Sequence, residues 1–429
     1  MALNRCPHIT LELLRGGPPH NQLVSPITEY LALCGDAAPH TLRLPFEHGE
    51  LTNRLRFLRY GLASLQDGEA LRQDELERLS RELGTLFGSI PAFAAEISSI
   101  ELPRHGGVVH CRLVLAGNEL GLVPWEIVQV PVGLPGAGLP LLLQPRVPVS
   151  LTREVRGAGR RQFRWDRTPR ILFAAADEHD FPPNTIEAHL LALRRAFEPW
   201  AYPASSSRVT TPIAHYDIDV IETASVEDIR QRCLDVDYTH VHILAHGAPV
   251  SERDEVRFGL SLHRPGRRDQ RVVATGDQLA HALLPSRSRR GASDPAFVSL
   301  ATCDSANPSA IVNPGGSVAH QLHRMGVPWV VASQFPLTVL GSVLLAEDLY
   351  GELLQGTDPR IALHRVRQHL ATRFGDRHDW ATVVAYASFP TDFDVQVEAF
   401  RRRAIWARRN RAYALVDRAV IARVLGGGN

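Results

Sequence analysis

Apolar positions along this chain follow two rhythms. From residue 50, Leu and Phe fall at helical spacing among charges in ELTNRLRFLRYGLASL and DELERLSRELGTLFGSI, which predicts amphipathic helices. VVHCRLVLAG (108–117) reads as a strand. LVPWEIV (122–128) and LLLQPRVPVSLTR (141–153) follow, parted by a Gly/Pro-rich loop at 132–140. Beyond residue 170, short apolar runs alternate with amphipathic segments. RILFAAAD (170–177), IDVIETA (218–224), THVHILAHG (239–247), AFVSLATC (296–303), VPWVVASQF and TVVAYASF (382–389) read as strands. Capping patterns Asn184-x-x-Glu187, Ser225-x-x-Asp228 and Thr275-x-x-Gln278 open the helices between them. FGLSLHR and QRVVAT, joined by PGRRD, predict a hairpin. Strands alternating with helices predict an α/β fold whose mainly parallel sheet is covered on both faces.

The same pattern divides the chain. Residues 1–44, rich in Pro and His, read as an N-terminal arm, either extended or forming a short sheet, and 45–153 as a first, smaller α/β region. The Arg-rich stretch 154–169 has no apolar period and reads as a solvated linker. Residues 170–390 form the main domain. Residues 391–429 predict a basic helix with an imperfect apolar stripe at Phe400, Ile405, Trp406, Tyr413, Leu415 and Val416, packed on the body or on a partner.

Composition narrows the chemistry. The chain has 429 residues and a formal net charge of +1, so no net basic field advertises direct nucleic-acid binding. All 47 basic residues are Arg. Without Lys there can be no Walker A phosphate loop, no Schiff base and no protein-kinase strand Lys. We read this bias as that of a GC-rich, bacterial genome. The five cysteines are scattered, with no CxxC pair, which excludes a disulfide framework or zinc ribbon. The first residues lack a signal-peptide apolar core, and no apolar run reaches about 18 residues. The expectation is a cytoplasmic protein without a membrane partner.

Two residues stand at strand ends, where open parallel sheets place their chemistry. His246 closes THVHILAHG, and Cys303 closes AFVSLATC, 57 residues later. A nucleophilic thiol needs partial exposure, a nearby base and orienting backbone. A strand-end His with a strand-end Cys about 50 residues downstream is the dyad layout of caspase-like proteases. Gly247, having no Cβ, lets its backbone approach a scissile carbonyl and offer an N–H to the oxyanion, with the Cys303 N–H as second donor. His240 and His242 lie on one face of a strand with His246, a spacing a zinc site could use. No carboxylate is spaced to complete such a set, so hydrogen-bonded core histidines are the plainer reading, and no metal or organic cofactor is expected. His189, His320, His323 and His364 read as packing or surface residues of helices.

HVHILAHG (240–247), VSLATCDSA (298–306), GVPWVVASQFPLT (326–338), DLYGELLQG (348–356), IALHRVRQHL (361–370) and DWATVVAY (379–386) resemble the CHAT family of caspase-like cysteine peptidases, in the clan of caspases, separase and clostripain. CRLVLAGNELGLVPWEIV and LLLQPRVPVSLTR resemble the region preceding that core, including its Pro-Trp-Glu turn, so the resemblance covers roughly 45–390. It implies a caspase-like sheet preceded by a smaller pseudo-caspase-like regulatory half. It implies His246 as general base and Cys303 as nucleophile, passing through an acyl-enzyme. Asp177, with Glu178 and Asp180, follows the first strand near where caspase-like enzymes build the pocket for the residue before the cleaved bond, and Gln334 follows the strand after the nucleophile. Asp304 reads as a loop or cap residue rather than a catalytic acid, and is kept with Asp177 and Gln334 as a substrate-binding candidate.

The sequence departs from the family in two places. It lacks the tetratricopeptide repeats many relatives carry, and Leu337-Thr338-Val339 stands where relatives tend to have an acid. The polar segment 284–295 reads as a surface loop open to nicking, and 304–316 resembles the loop that orders on caspase-like activation. By resemblance, the expected function is a regulated cysteine endopeptidase acting on a protein substrate in bacterial defence or cell death. A pore-forming or other effector encoded nearby is one substrate candidate, and an activating protein is a further partner. The competing class is a CHAT-like scaffold or signalling module that no longer cleaves.

Overall fold

A computed structural model of the chain describes residues 6–16, 23–58, 68–100, 107–176, 181–203, 214–252, 255–286, 293–301, 317–335, 337–375 and 377–426. The first half runs β1 (His8–Leu14), β2 (Glu29–Cys34), β3 (His40–Arg43), α1 (His48–Phe57), α2 (Gly68–Gly88), α3 (Pro91–Ser99), β4 (Val109–Leu115) and β5 (Val149–Val155). The second begins with β6 (Ile171–Ala175), α4 (Thr185–Phe197), the two-residue strands β7 (Tyr202–Pro203) and β8 (Ala214–His215), β9 (Ile218–Ile221) and α5 (Val226–Asp235). It continues with β10 (His240–Leu244), β11 (His246–Glu252), β12 (Glu255–Arg264), β13 (Arg267–Ala274), α6 (Gly276–Leu283) and β14 (Phe297–Ala301). It ends with α7 (Val318–Arg324), β15 (Trp329–Ser333), α8 (Val339–Leu354), α9 (Pro359–Arg373), α10 (Asp379–Thr382), β16 (Val383–Ala387) and α11 (Phe393–Gly426).

Eleven strands form one sheet in the order β3-β2-β1-β4-β5-β16-β15-β14-β10-β6-β9. The pairing is antiparallel only at β3–β2, β2–β1 and β15–β16. The β15–β16 junction divides the sheet into two parallel blocks that run in opposite directions. β16 is the joint, since it pairs parallel with β5 of the first half, Tyr386 opposite Arg153. Of the two readings of the stretch 1–44, an extended arm and a short sheet, the strands are what it forms, as the outer β1, β2 and β3 of the large sheet.

Side-chain parity shows that the two blocks differ in the chemistry of their second face. In β6, β14, β15 and β16 both parities are apolar. Phe173, Phe297, Trp329 and Ala385 belong to one core, and Leu172, Val298, Val330 and Val384 to another across the sheet. A strand apolar on both faces must be covered on both. Contacts run α4–α8–α9 among the helices of one layer and α5–α6–α7 among those of the other. In the first half the strands alternate. Ile9, Leu11, Leu13, Val109, Cys111 and Leu113 enter one core. The other parity of β4 and β5 is polar, with His110 on Thr152 and Arg112 on Glu154. The second face of β4 and β5 is therefore mostly polar, yet it is buried as well, so these strands too are covered on both faces.

Three local readings change. Ser225 and Thr275 form reciprocal capping boxes with Asp228 and Gln278, as their spacing predicts. Asn184 does not, because it sits in the left-handed region (φ 64°) and its side chain makes no cap bond. Reaching the first-turn N–H groups requires extended backbone at that position. The Arg-rich stretch 154–169 is docked rather than solvated. Gly159 N–H donates to the Arg324 carbonyl at 2.8 Å, Arg161 pairs with Asp294 at 2.9 Å, and Arg167 Nη2 donates to the Asp237 carbonyl at 2.7 Å. The last helix buries Phe393, Val397, Phe400, Ala404 and Ala407, a stripe displaced from the expected one. Ile405, Trp406 and Tyr413 are exposed, and the side chains of Leu415 and Val416 lie outside those described.

The core also holds histidines. His189, His240, His242, His320, His323 and His364 are all buried. Burial pushes His189 and His364 down to about 4 and His240 and His320 to about 3, from an ordinary value of 6.5. They are neutral in the folded protein, while the unfolded chain takes up their protons below 6.5. Stability is therefore full above pH 6.5 and lost as pH falls from there toward 4, by up to about 1.4 kcal/mol per histidine per pH unit. Thermal melts at about pH 7 and pH 5 test this, and equal midpoints would rule it out.

Candidate active site

β6, β10 and β14 are adjacent parallel strands in one register. Ala175, Leu244 and Ala301 lie side by side at their carboxyl ends. Ala176 N–H donates to the Leu244 carbonyl at 2.8 Å, so the alignment continues past the last paired residue. The strand expected over 239–247 ends at Leu244. His246 opens β11, which leaves the main sheet and pairs with β12, His246 opposite Ser261 and Gly247 opposite Leu260. This hairpin lifts the imidazole out of the core, so His246 and Gly247 are half-buried where His240 and His242 are buried.

The His246 ring stacks on Phe181, centroids 4.6 Å apart and planes at 22°. Phe181 lies between β6 and α4, on the same edge of the sheet. Sequence reading passed it over, and its only signal was an apolar residue in the polar segment after a buried strand. Cys303, Asp304 and Asp177 lie outside the described residues. In sequence, Cys303 follows Ala301 by two residues and Asp177 follows Ala175 by two, as His246 follows Leu244.

The two histidines of β10 face inward. His242 Nε2 is 3.1 Å from His189 Nδ1, and His189 Nε2 is 3.3 Å from Ser342 Oγ. His240 Nδ1 is 2.7 Å from Thr239 Oγ1, and its ring packs on Trp165 and Phe297. The three histidines of 240–246 therefore do not converge. Among the described residues no group of three or more His, Cys, Asp or Glu could hold a metal ion.

Gln334, at the end of β15, is buried with both ends of its amide occupied. Its Oε1 accepts from Arg153 Nη2 at 2.7 Å, and its Nε2 donates to the Leu122 carbonyl at 2.8 Å. Rather than facing a substrate, Gln334 ties the carboxyl edge of the second block to the first half. Arg153 is the centre of this joint. It is fully buried, holds Glu126 of the Pro-Trp-Glu turn with two nitrogens, and donates to the Gly121 carbonyl at 3.0 Å and the Val123 carbonyl at 3.2 Å. The Tyr386 hydroxyl hydrogen-bonds both Arg153 and Ser317. Ser317 caps α7 and is the first described residue after the segment that contains Cys303.

The place where relatives tend to have an acid is built differently here. Thr338 caps α8 and donates its hydroxyl to Asp379 Oδ2 at 2.7 Å. Asp379 is fully buried. A Cβ on Gly341 would meet the same oxygen at 2.5 Å, so this approach requires glycine.

Residues 62–389 match the family model of the CHAT domain. Among solved structures, the chain is similar to separase of Saccharomyces cerevisiae in its complex with securin. The TM-score is 0.50 and the identity 11%, over 89% of this chain and 30% of that one. The complex of the pro- and mature domains of Porphyromonas gingivalis RgpB gives a TM-score of 0.41 and 10% identity, over 75% of this chain and 76% of that one. A search of curated proteins gave no match. The fold is that of the caspase-like cysteine peptidases, a large and mostly parallel sheet flanked by helices. Within that class, the chain belongs to the CHAT-domain family. It spans 30% of the separase chain it resembles. Among the described residues, no helix is long and apolar enough to cross a membrane.

Breaking the Arg153 joint should be costly. Glu126→Gln leaves a buried guanidinium without its countercharge and should destabilise by about 3–5 kcal/mol. Gln334→Ala removes one neutral acceptor from the guanidinium and should cost about 1–3 kcal/mol. Urea unfolding midpoints measure both, and a Glu126→Gln protein as stable as the parent would refute the assignment.

Proposed function

We propose that the chain is a regulated cysteine endopeptidase acting on a protein substrate through His246 and Cys303. The observation that carries this reading is the shared register of β10 and β14. Neighbouring strands are about 4.8 Å apart, and two residues carry a chain at most about 7 Å. His246 and Cys303 each follow the level pair Leu244 and Ala301 by two residues. A half-buried imidazole on that edge suits a general base better than the buried ones of β10.

In this mechanism His246 takes the thiol proton and the Cys303 sulfur attacks the scissile carbonyl carbon. The N–H groups of Gly247 and Cys303 receive the negative charge on the carbonyl oxygen. His246 then protonates the leaving amine, and an acyl-enzyme remains. Water, deprotonated by His246, releases the acid and restores the thiol. Asp177, following the strand on the other side of β10, would attract an Arg side chain before the cleaved bond, and Asp304 would flank the thiol. A protein substrate also fits the bacterial defence or cell-death setting that the sequence resemblance suggests.

The other described cysteines are poor competitors. Cys34, Cys111 and Cys233 are buried and Cys6 is half-buried. Burial pushes Cys34 up to about 11 and Cys6 and Cys111 to about 12. A peptidyl electrophile near neutral pH should therefore label Cys303 first, and more slowly in His246→Ala. Terminal-labelling proteomics should show new N-termini that vanish in Cys303→Ala. Cleavage after Arg would support Asp177 in the pocket, and an apolar residue there would dismiss it. A Cys303 that no electrophile labels would leave a scaffold rather than a peptidase.

Phe181 offers a graded test. Phe181→Ala removes the ring that holds His246, worth about 0.5–1.5 kcal/mol, so turnover should fall by up to about tenfold. Phe181→Tyr should restore it, and an Ala variant with unchanged turnover would remove Phe181 from the site.

A further inference from the structure

The two long faces of α11 have opposite characters. Phe393, Val397, Phe400, Ala404 and Ala407 are buried against the body, and Trp200 stacks on Phe400 at 5.5 Å. The opposite face carries Val395, Ala399, Arg402, Trp406, Arg409 and Tyr413, spaced 4, 3, 4, 3 and 4 residues apart. This is the spacing of a seam that another helix covers. Val395, Trp406 and Tyr413 are 53%, 67% and 68% exposed. A Trp so exposed is unusual on a surface with no partner, and common where a partner binds.

The first turns of this face open into a cavity of about 820 Å³. Val395 and Ala399 form one wall. The 159–166 stretch, Arg112, 326–328 and 388–392 supply the others, with Phe163 and Phe389 among the apolar lining and Asp166 and Asp392 among the polar. Arg160, Arg161 and Arg164 also line it. Arg161 is paired with Asp294, Arg164 with Asp166 and the exposed Arg402 with Glu398 one turn back, whereas Arg160 and Arg409 have no ion pair among the described residues. The surface is thus an apolar and aromatic seam bordered by arginines, about 27 Å long from Val395 to Tyr413 and ending in a cleft.

We propose that this seam binds an acidic amphipathic helix of a protein partner. The partner's apolar stripe would lie along Val395, Trp406 and Tyr413, its carboxylates beside Arg160, Arg402 and Arg409, and a bulky end residue in the cleft. Charge selects this occupant. A second copy of the helix would set arginine against arginine. A nucleic acid or an anionic bilayer is favoured by a broad positive field, but the whole chain carries +1. A bilayer would also leave the cleft empty. The site is independent of His246, which lies at the other edge of the sheet.

Fluorescence anisotropy on the full chain tests this with a labelled helical peptide of about 20 residues, Leu at positions i, i+4, i+7 and i+11 and Glu flanking them. Binding should weaken with salt. It should fall at least about tenfold in Trp406→Ala and in Arg402→Ser/Arg409→Ser, while thermal midpoints stay unchanged because these side chains are exposed. The proposal is overturned if the peptide does not bind, or if its Glu→Lys counterpart binds as well. Tighter binding of phosphatidylcholine–phosphatidylglycerol vesicles or of duplex DNA would assign the surface to those partners instead. A dimer in sedimentation that Trp406→Ala dissolves would assign it to a second copy.

Discussion

The join between the two blocks of the sheet depends on a buried cation. Arg153 is withdrawn from water in the middle of an eleven-stranded sheet, at the point where two parallel blocks of opposite direction meet. Such a charge is tolerable only when paired and hydrogen-bonded on every side. Its partners are Glu126, the carbonyls of Gly121 and Val123, Gln334 and Tyr386. Those groups come from the turn before β5, the end of β15 and the joining strand β16. One unmet electrostatic demand thus holds three separate segments together, and it reaches Ser317 at the far end of the segment that carries Cys303.

This changes what the first half of the chain does. Its helices cover one face only, and the other parity of β4 and β5 is polar. Seen from the site, it is less a neighbouring domain than a wall. The turn at 121–126 fixes Gln334, and through it the start of the segment that leads into α8. Thr338 and Asp379 fasten that segment from its other side. The carboxyl edge beside His246 is therefore braced by groups distant in sequence.

The alternation of apolar strands with capped helices was readable because each is a local matter. The two-faced strands β6, β14, β15 and β16 are continuous apolar runs, and Ser225 and Thr275 sit one residue before their helices. His246 stood out by its place before a glycine at the end of such a run. What the sequence could not show is long-range. Gln334 looks like a strand-end polar residue, and only the fold brings Arg153 to it across 181 positions. The β11 hairpin strand that carries His246 out of the core overlaps in sequence with what looks like the tail of β10. The stripe of α11 was misplaced because small residues, Ala404 and Ala407, make the contact while the larger aromatics face outward. Asn184 has the composition of a cap, and its backbone geometry overrides that composition.

The position of β16 has a consequence for how the protein comes into being. This strand lies in the interior of the sheet but follows all the sheet's other described strands in sequence, at residues 383–387. As the chain emerges from the ribosome, β5 and β15 each present an open edge, and no earlier segment can join them. Open edges invite wrong pairings, so both blocks are most vulnerable to aggregation until the last strand arrives. The same delay is a timer. Arg153 lacks Tyr386 until then, so whatever requires the two blocks to act together starts only once β16 has been made.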